Sequence, residues 1–215
     1  MIKKVLAVAL MLMLVSVAAV IAQKTPTLDV LVYDSYAISE ELVAKFEADN
    51  GVKLQFIEAG DGTELLNRAI LTKDAPIADV ILGINSVLVS RALENDLLES
   101  YAAPALGKIA ERYKIDAENR VLPFDHANVC LNYDTEYFAE KNLAVPTKLE
   151  DLITPTYQGM LSIENPVSST PGLAFMLLTI DIFGEDGYLL YWQDLVENGA
   201  EIVPDWSTAY YTNFT

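Results

Sequence analysis

Two stretches of the sequence combine glycine and hydroxyl residues just before a predicted helix, where a helix N-terminus can hold an anion. The first covers residues 60–63 (Gly-Asp-Gly-Thr) and the second residues 168–172 (Ser-Ser-Thr-Pro-Gly). In the second, Ser169 or Thr170 can cap the helix, and Pro171 suits its first turn. A helix N-terminus presents free backbone N–H groups and a partial positive charge, which attract anions. Both stretches are also explained as ordinary helix starts, so the residues leave two interpretations open.

Four aromatic residues lie near similar positions. Tyr33 and Tyr36 follow the first predicted strand, and Trp206 and Tyr210 lie near the last predicted helix start. Strand ends in open α/β sheets face the ligand crevice, so rings placed there can stack on a flat or cationic group. The alternative is that Tyr33 and Trp206 are buried core rings.

The residues that could perform covalent chemistry are few. Cys130 is the only cysteine and His126, four positions earlier, the only histidine. On a strand, residues four apart stand ~13 Å apart, too far for a direct hydrogen bond. We therefore expect Cys130 to be a small buried residue of a strand, without a disulfide partner, and His126 to form hydrogen bonds in a cleft or hinge. An enzyme acting through Cys130 is the less favoured alternative, and no cofactor is expected.

The first half of the chain alternates predicted strands and helices. The strands cover residues 28–33, 53–58 and 78–82, and the helices cover residues 40–49, a stretch around Leu65 to Ile70, and residues 87–94. Ser39 is a suitable N-cap for the first helix, and Gly51 a suitable stop. Strict alternation of this kind predicts a parallel sheet covered on both faces.

The second half repeats this pattern. An apolar stretch at 127–133 precedes a helix at 136–142, a strand at 160–164, helices at 171–183 and 188–197, and a strand at 201–203. We predict a first α/β lobe at 23–123 and a second at 124–215, with the chain crossing between them around residues 122–128. A further helix is predicted to begin at Ser207, close to the last residue. We therefore expect the second lobe, and the return of the chain to the first, to be incomplete.

Residues 1–22 have the pattern of a secretory signal peptide. Lys3 and Lys4 precede an apolar run that ends in small residues near Ala22. An uncleaved membrane anchor is the alternative. The net charge of -17 becomes -19 when the two lysines leave with this segment, and such acidity disfavours nucleic acid as a partner. The mature chain is long enough to be held by a hydrophobic core.

Six short strings resemble, in order from about Leu28 to Tyr210, the thiamine-binding periplasmic proteins of bacterial thiamine ABC importers. They are residues 33–36, residues 60–62 with 65–68, residues 78–83, residues 123–125, residues 169–173, and residues 206–207 with 209–210. Any one string is weak, but their order and spacing together are fairly specific. The sequence departs from the family at His126, where the family usually has tyrosine, and in a shorter segment between Tyr36 and Glu40.

The resemblance implies a two-lobed α/β periplasmic-binding-protein fold of type II, with the ligand between the lobes. It implies six ligand-binding residues: Tyr33, Asp61, Gly62, Ser169, Thr170 and Trp206. Tyr33 is expected to pack on the thiamine rings, and Ser169 and Thr170 to bind the phosphate of thiamine phosphates. The implied function is capture of thiamine or thiamine phosphates by a periplasmic or extracytoplasmic monomer, for delivery to a membrane permease.

A ferric-iron importer protein is the main alternative function. Related proteins hold iron with adjacent tyrosines, and Tyr210 and Tyr211 form such a pair. Phenolate oxygens suit ferric iron, but neighbouring side chains on a helix point about 100° apart. The pair also follows Trp206 and Ser207, as in the thiamine-binding family. Apart from this pair, the sequence predicts no metal site.

The signal-peptide interpretation predicts the N-terminus of the mature protein. N-terminal sequencing of protein from the extracytoplasmic fraction should begin at Gln23 or a near neighbour. Intact Met1 on most molecules would contradict cleavage.

Overall fold

The strands and helices are those of an α/β protein. The structure, a computed structural model, describes residues 25–214. The strands are β1 (Thr27–Val32), β2 (Lys53–Glu58), β3 (Val80–Leu82), β4 (Ser162–Glu164) and β5 (Glu201–Val203). The helices are α1 (Glu40–Asn50), α2 (Gly62–Leu71), α3 (Val89–Glu94), α4 (Thr135–Glu140), α5 (Thr170–Glu197) and α6 (Trp206–Thr208). The predicted signal peptide lies outside the described residues. No helix within 25–214 has both the length and the apolar character needed to cross a membrane.

By its internal contacts the chain divides into two units, Met1–Leu28 with Ser39–Gln55, and Asp29–Ile38 with Phe56–Thr215. In the described part of the smaller unit, α1 is the main element. Ser39 caps it as predicted, with its Oγ 3.4 Å from the N–H of Leu42 that donates to it. Gly51 ends it in the left-handed conformation (φ 64°), which glycine adopts without steric cost.

The described residues contain two small sheets. One has the strand order β2-β1-β3, and the other pairs β4 with β5. β1 and β3 are parallel with Val30 opposite Val80, and β4 and β5 are parallel with Ile163 opposite Ile202. Parallel neighbours need a long crossover. Between the parallel neighbours β1 and β3 the chain forms α1, β2 and α2, and α5 provides the crossover from β4 to β5.

Separate hydrophobic clusters support the two sheets. Leu31 of β1 packs with Leu65 and Ala69 of α2, and a neighbouring cluster joins Leu66 to Leu88 and Ala92. Around the second sheet, the buried residues are Leu152, Ile163, Tyr191 and Leu195. The first set falls within the predicted first lobe and the second within the predicted second lobe. The lobe boundary near residue 123 stays a prediction.

The expected burial of Cys130 is wrong. Residues 122–134 form neither helix nor strand, and Cys130 is exposed, as are Val129 and Leu131. A strand requires a neighbouring strand to pair its backbone N–H and C=O groups, and neither sheet of the described residues extends to this segment. Its apolar composition alone does not make it a strand. His126 is also exposed, and its ring lies 4.6 Å from that of Tyr113.

α5 consists of two helical stretches, as predicted. They meet at Gly184, whose backbone (φ 73°, ψ 171°) is not helical and is accessible essentially only to glycine. Near the start of α5, Gly172 is buried against β4. A Cβ added to Gly172 would lie 2.3 Å from the carbonyl oxygen of Glu164. The close approach of α5 to the end of β4 therefore depends on glycine at this position.

Gly172→Ala should destabilise the protein because its Cβ would overlap backbone atoms, which cannot rotate away as a side chain can. We expect a loss of ~1–3 kcal/mol in the free energy of unfolding, measured by urea denaturation. Gly107→Ala is the matched control, because a Cβ there meets nothing within 4 Å. Equal effects of the two substitutions would show that the approach of α5 to β4 is not tight.

Candidate ligand-binding site

The first sequence-predicted site residue, Asp61, is the N-cap of α2. It is 8% exposed, and its Oδ1 accepts the N–H of Gly62. The preceding turn uses Gly60 at φ 76°, and the Gly60 carbonyl accepts the N–H of Asp34 at 3.0 Å. The cap is therefore held at the end of β1. This places the Asp61 carboxylate at the carboxyl edge of the first sheet.

Asp61 also bonds to the start of α5. Its Oδ1 accepts from the N–H of Thr170 at 3.1 Å and from the Thr170 hydroxyl at 3.3 Å. Gly62 allows this approach, because a Cβ there would lie 2.8 Å from Cγ2 of Thr170. The structure thus brings the two loop-to-helix junctions of the sequence into direct contact, although they are 109 residues apart.

Ser169 is fully buried and caps α5. Its Oγ accepts the N–H of Gly172 at 3.4 Å and donates to Oε2 of Glu164, the last residue of β4. The hydroxyls of Ser169 and Thr170 therefore both donate to carboxylates. In the described structure, the anion that faces the N-terminus of α5 is the side chain of Asp61, an arrangement favoured by the helix dipole.

Two more acids lie at strand ends near this contact. Asp34 follows β1, and its Oδ2 lies 3.5 Å from the donating hydroxyl of Ser207. Asp34 Oδ1 is buried and has no hydrogen-bond partner among residues 25–214. Asp205 follows β5 and caps α6, accepting the N–H of Thr208 at 2.7 Å. We call Asp34, Asp61, Glu164 and Asp205 the acidic cluster.

The acidic cluster perturbs its own members. Burial raises the pKa of Glu164, and the negative charges of Asp61, Asp205 and Asp34 raise it further, against the lowering effect of the Ser169 hydrogen bond. The pKa of Asp34 is raised by burial and by Asp61 and Asp205 as well. None of the ion pairs between described residues includes a member of the cluster. Within residues 25–214, the acids of this cluster therefore have no ion-pair partner.

Tyr33 directly follows β1 and precedes Asp34, a member of the acidic cluster, in the chain. Its ring meets that of Tyr36 edge-on, with centroids 5.8 Å apart. A Cβ added to Gly83 would lie 2.9 Å from Cδ1 of Tyr33, so glycine makes room for the ring. Burial, and then Asp125, raise the pKa of the Tyr33 phenol. The phenol is therefore neutral at physiological pH.

Trp206 opens α6 and stacks on Tyr210. The two rings are nearly parallel (11°) with centroids 4.8 Å apart, and the ring of Tyr211 meets Trp206 edge-on at 5.3 Å. Ser207, the next residue, bonds to Asp34 as described above. Trp206 is thus joined to the acidic cluster through its neighbour in the chain.

The six predicted site residues differ in how directly they contact one another. Four of them form one contiguous group: Asp61, Gly62, Ser169 and Thr170. Tyr33 and Trp206 are the chain neighbours of Asp34 and Ser207, whose side chains are hydrogen-bonded to each other. Asp34, Glu164 and Asp205 are not among the residues predicted from the sequence to bind the ligand. The available signal was their position, since each ends or follows a parallel strand, where open α/β sheets bind ligands.

The structure also has an open cavity of about 450 Å³, which these residues do not line. Its lining is mainly apolar and includes Leu131, residues 146–150 and Ile182. It contains none of the six predicted residues and no member of the acidic cluster.

Parallel strands with crossover helices, and polar and aromatic residues at the carboxyl ends of the strands, agree with the class of two-lobed solute-binding proteins with the type II periplasmic-binding-protein fold, which the solved neighbours share. The predicted fold class is confirmed. The chain belongs to the bacterial extracellular solute-binding protein family, whose sequence pattern matches residues 75–208.

Curated relatives of the chain include thiamine-binding periplasmic proteins. The one from Escherichia coli (strain K12) is 30% identical over 204 residues, covering 93% of this chain and 59% of the relative. The one from Brucella suis biovar 1 is 27% identical over 195 residues, covering 88% of this chain and 56% of the relative. The chain thus spans a little over half the length of these relatives.

Solved structures share the fold. A periplasmic thiamin binding protein superposes with a TM-score of 0.68 at 24% identity, covering 88% of this chain and 59% of that protein. Iron-bound HitA from Pseudomonas aeruginosa superposes with a TM-score of 0.64 at 19% identity, covering 87% and 59%. Because proteins with different cargo share the fold, these superpositions do not distinguish between ligands.

Glu164→Gln should change the pH dependence of stability. A carboxyl group with a raised pKa binds its proton more tightly when folded, so its contribution to stability is lost as pH rises from its ordinary pKa of 4.5 through the raised one. The amide cannot ionise and can still accept from Ser169. We therefore expect the melting temperature of the variant, relative to the wild type, to increase between about pH 4 and about pH 7.

The matched control is Glu201→Gln, which replaces an exposed acid on the neighbouring strand β5. Its difference from the wild type should stay the same at both pH values. If Glu164→Gln behaves in the same way as this control, burial and the neighbouring acids do not perturb Glu164.

Proposed function

We propose that the chain belongs to a protein that captures thiamine or a thiamine phosphate outside the cytoplasmic membrane and delivers it to the permease of an ABC importer. The observation that supports this most directly is the un-neutralised acidic cluster flanked by Tyr33 and Trp206 at the strand ends. Thiamine is a flat, aromatic cation, and it matches both features. The names of the curated relatives point to the same ligand.

The acidic cluster favours the cationic part of such a ligand. Asp34 and Glu164 are partly withdrawn from water and lie near Asp61 and Asp205, so they repel one another. A ligand cation placed among them would offset this repulsion. The buried Asp34 Oδ1, which has no hydrogen-bond partner in residues 25–214, is available to a ligand donor.

The aromatic residues favour the flat rings of such a ligand. An indole ring stacked on one side can take a ligand ring on the other, and a cation over a tryptophan or tyrosine face gains ~0.5–2 kcal/mol. Trp206 is stacked on Tyr210, which fixes the orientation of the indole. The Tyr33 ring contacts the Tyr36 ring and packs against Gly83, which has no side chain to obstruct it. Both rings are therefore oriented before any ligand binds.

We further propose that the protein binds its ligand without converting it, as a monomer, and takes no nucleic acid. The relatives are binding proteins. The exposed position of Cys130, and the contact of His126 with Tyr113, give no support to a Cys-His pair. The net charge of -17 opposes binding to a phosphate backbone.

Ferric iron is the second candidate, because Tyr210 and Tyr211 are adjacent and iron-binding proteins share the fold. Their ring centroids are 5.9 Å apart with the planes at 83°. Among the described residues, no group of three or more His, Cys, Asp or Glu side chains is placed to hold a metal ion. The stacking of Tyr210 on Trp206 is better explained by an aromatic site.

Calorimetric titration with thiamine of the full-length protein to which this chain belongs tests the proposed function. We expect saturable binding and, by mass spectrometry, recovery of intact thiamine from the complex. Trp206→Ala should weaken binding about tenfold, since it removes a stacking surface worth ~1–2 kcal/mol. Trp206→Phe, which keeps a ring, should retain part of the affinity.

The matched control is Tyr101→Ala, which removes an exposed ring outside the site and should leave the affinity unchanged. Absence of thiamine binding would contradict the proposal. A visible absorption band on addition of ferric iron, lost in Tyr210→Phe, would favour the iron-binding alternative instead.

A further inference from the structure

We propose that Tyr210 is a positioning residue of the ligand-binding site: its ring covers one face of the Trp206 indole, so that the opposite face is presented to the ligand, and its hydroxyl group takes no part. The inference rests on the proposed function in that it takes the ligand to stack on Trp206. It concerns a separate matter, namely the residue that fixes the indole before a ligand arrives.

The two rings are too close for a third ring to enter between them. Their planes differ by 11° and their centroids are 4.8 Å apart, which is the geometry of directly stacked rings. A ligand ring between them would need two contact distances of ~3.5–4.0 Å, one on each side. A ligand that stacks on Trp206 must therefore use the face of the indole opposite to Tyr210.

The stack is a local feature of the backbone. Trp206 begins α6, and Ala209–Asn213 continue it as a π-helical turn, which the N–H of Phe214 closes by donating to the carbonyl of Ala209 at 3.1 Å. Side chains four residues apart on a helix are neighbours on its surface. Turns of the π type are rare and occur frequently at functional sites. The contact between Trp206 and Tyr210 lies within one helical segment, so it can form whether or not the site is occupied.

Both ends of this segment are anchored to the second sheet. At its start, Asp205 follows β5 and its Oδ1 accepts the N–H of Thr208 at 2.7 Å. At its end, Nδ2 of Asn213 donates to Oγ of Ser162, the first residue of β4, at 3.2 Å. A residue can orient its neighbour only if it is itself fixed in place. These bonds meet that requirement for Tyr210.

The adjacent tyrosines Tyr210 and Tyr211 have different surroundings. Tyr210 is partly buried, with the Trp206 ring parallel to it and the Phe214 ring at a centroid distance of 5.2 Å and an angle of 31°. Tyr211 is 66% exposed and meets the rings of both Trp206 and Tyr210 edge-on. Of the two tyrosines, Tyr210 is therefore the one whose ring covers a face of the indole.

An indole that is oriented in advance binds a ligand ring more tightly. Without Tyr210 the Trp206 side chain can adopt several rotamers, and a ligand would have to immobilise it. Immobilising one such side chain weakens binding by about 3–10-fold. Two competing roles predict other results. A tyrosine that only packs would change stability and not affinity, and a tyrosine that binds the ligand or ferric iron through its phenolate would need the hydroxyl group.

A double-mutant cycle in the full-length protein tests whether Tyr210 acts through Trp206. Dissociation constants for thiamine are measured by calorimetry for the wild type, Tyr210→Leu, Trp206→Ala and the double variant. We expect Tyr210→Leu to weaken binding about 3–10-fold when Trp206 is present, and by less than about twofold when Trp206 is already alanine. Equal losses in the two backgrounds would overturn the inference.

Tyr210→Phe separates the ring from the hydroxyl group. It keeps a six-membered ring to stack on Trp206, and we expect its affinity to stay within about twofold of the wild type. A loss of affinity in Tyr210→Phe would show that the hydroxyl group is used and would overturn the inference, even if Tyr210→Leu does not fold. Tyr137→Leu is the matched control, because Tyr137 is also a helical tyrosine in contact with another ring, that of Phe138 in α4. It should leave the affinity unchanged, and a loss equal to that of Tyr210→Leu would count against the role of Tyr210.

A measurement without ligand separates this inference from the proposed function. In full-length protein labelled with fluorotryptophan, the fluorine NMR resonance of Trp206 is assigned from its absence in Trp206→Phe. We expect Tyr210→Leu to shift or broaden this resonance and Tyr210→Phe to change it much less, while that of Trp192, which packs on Phe175, stays the same in both. Such a shift in a protein that does not bind thiamine would contradict only the proposed function. Thiamine binding with an unshifted Trp206 resonance in Tyr210→Leu would overturn only the role of Tyr210.

Discussion

The bond between the Asp61 carboxylate and the backbone of Thr170 is the interaction on which the candidate site depends. It joins the first residue before α2 to the first residue of α5, at 3.1 Å and across 109 positions of the chain. The hydrophobic clusters around the two sheets share no residues, so apolar packing alone does not bring these helix starts together. A buried carboxylate at a helix N-terminus is stabilised by the dipole and by charge-assisted hydrogen bonds.

This arrangement concentrates negative charge. Four carboxylates lie near one another without an ion-pair partner among the described residues, and burial disfavours the charged form of two of them. Such a cluster destabilises the ligand-free protein near neutral pH, where the acids tend to ionise. The same unfavourable energy becomes available to a cation that enters the site. The proposed preference for a cation and the cost in stability therefore have one physical origin.

The elements set by local signals were predicted from the sequence. β2 and β5 have the predicted bounds, and α1 begins after Ser39 and ends before Gly51 as expected. β3 and β4 begin two residues later than predicted, and for β4 the reason is that its partner β5 begins at Glu201, opposite Ser162. The segment around Cys130 shows the limit of such prediction. Its apolar pattern suits a strand, but burial requires a partner element that the pattern does not identify.

The candidate site was predicted in part for the same reason. The motif at residues 168–172 identifies a helix N-terminus, and a helix N-terminus attracts an anion. It does not identify which anion. Here the carboxylate of Asp61 is supplied by the chain itself and accepts hydrogen bonds from the first residue of α5. The group that a helix terminus contacts is therefore decided by the residue that faces it in the folded chain, and a short motif does not identify that residue.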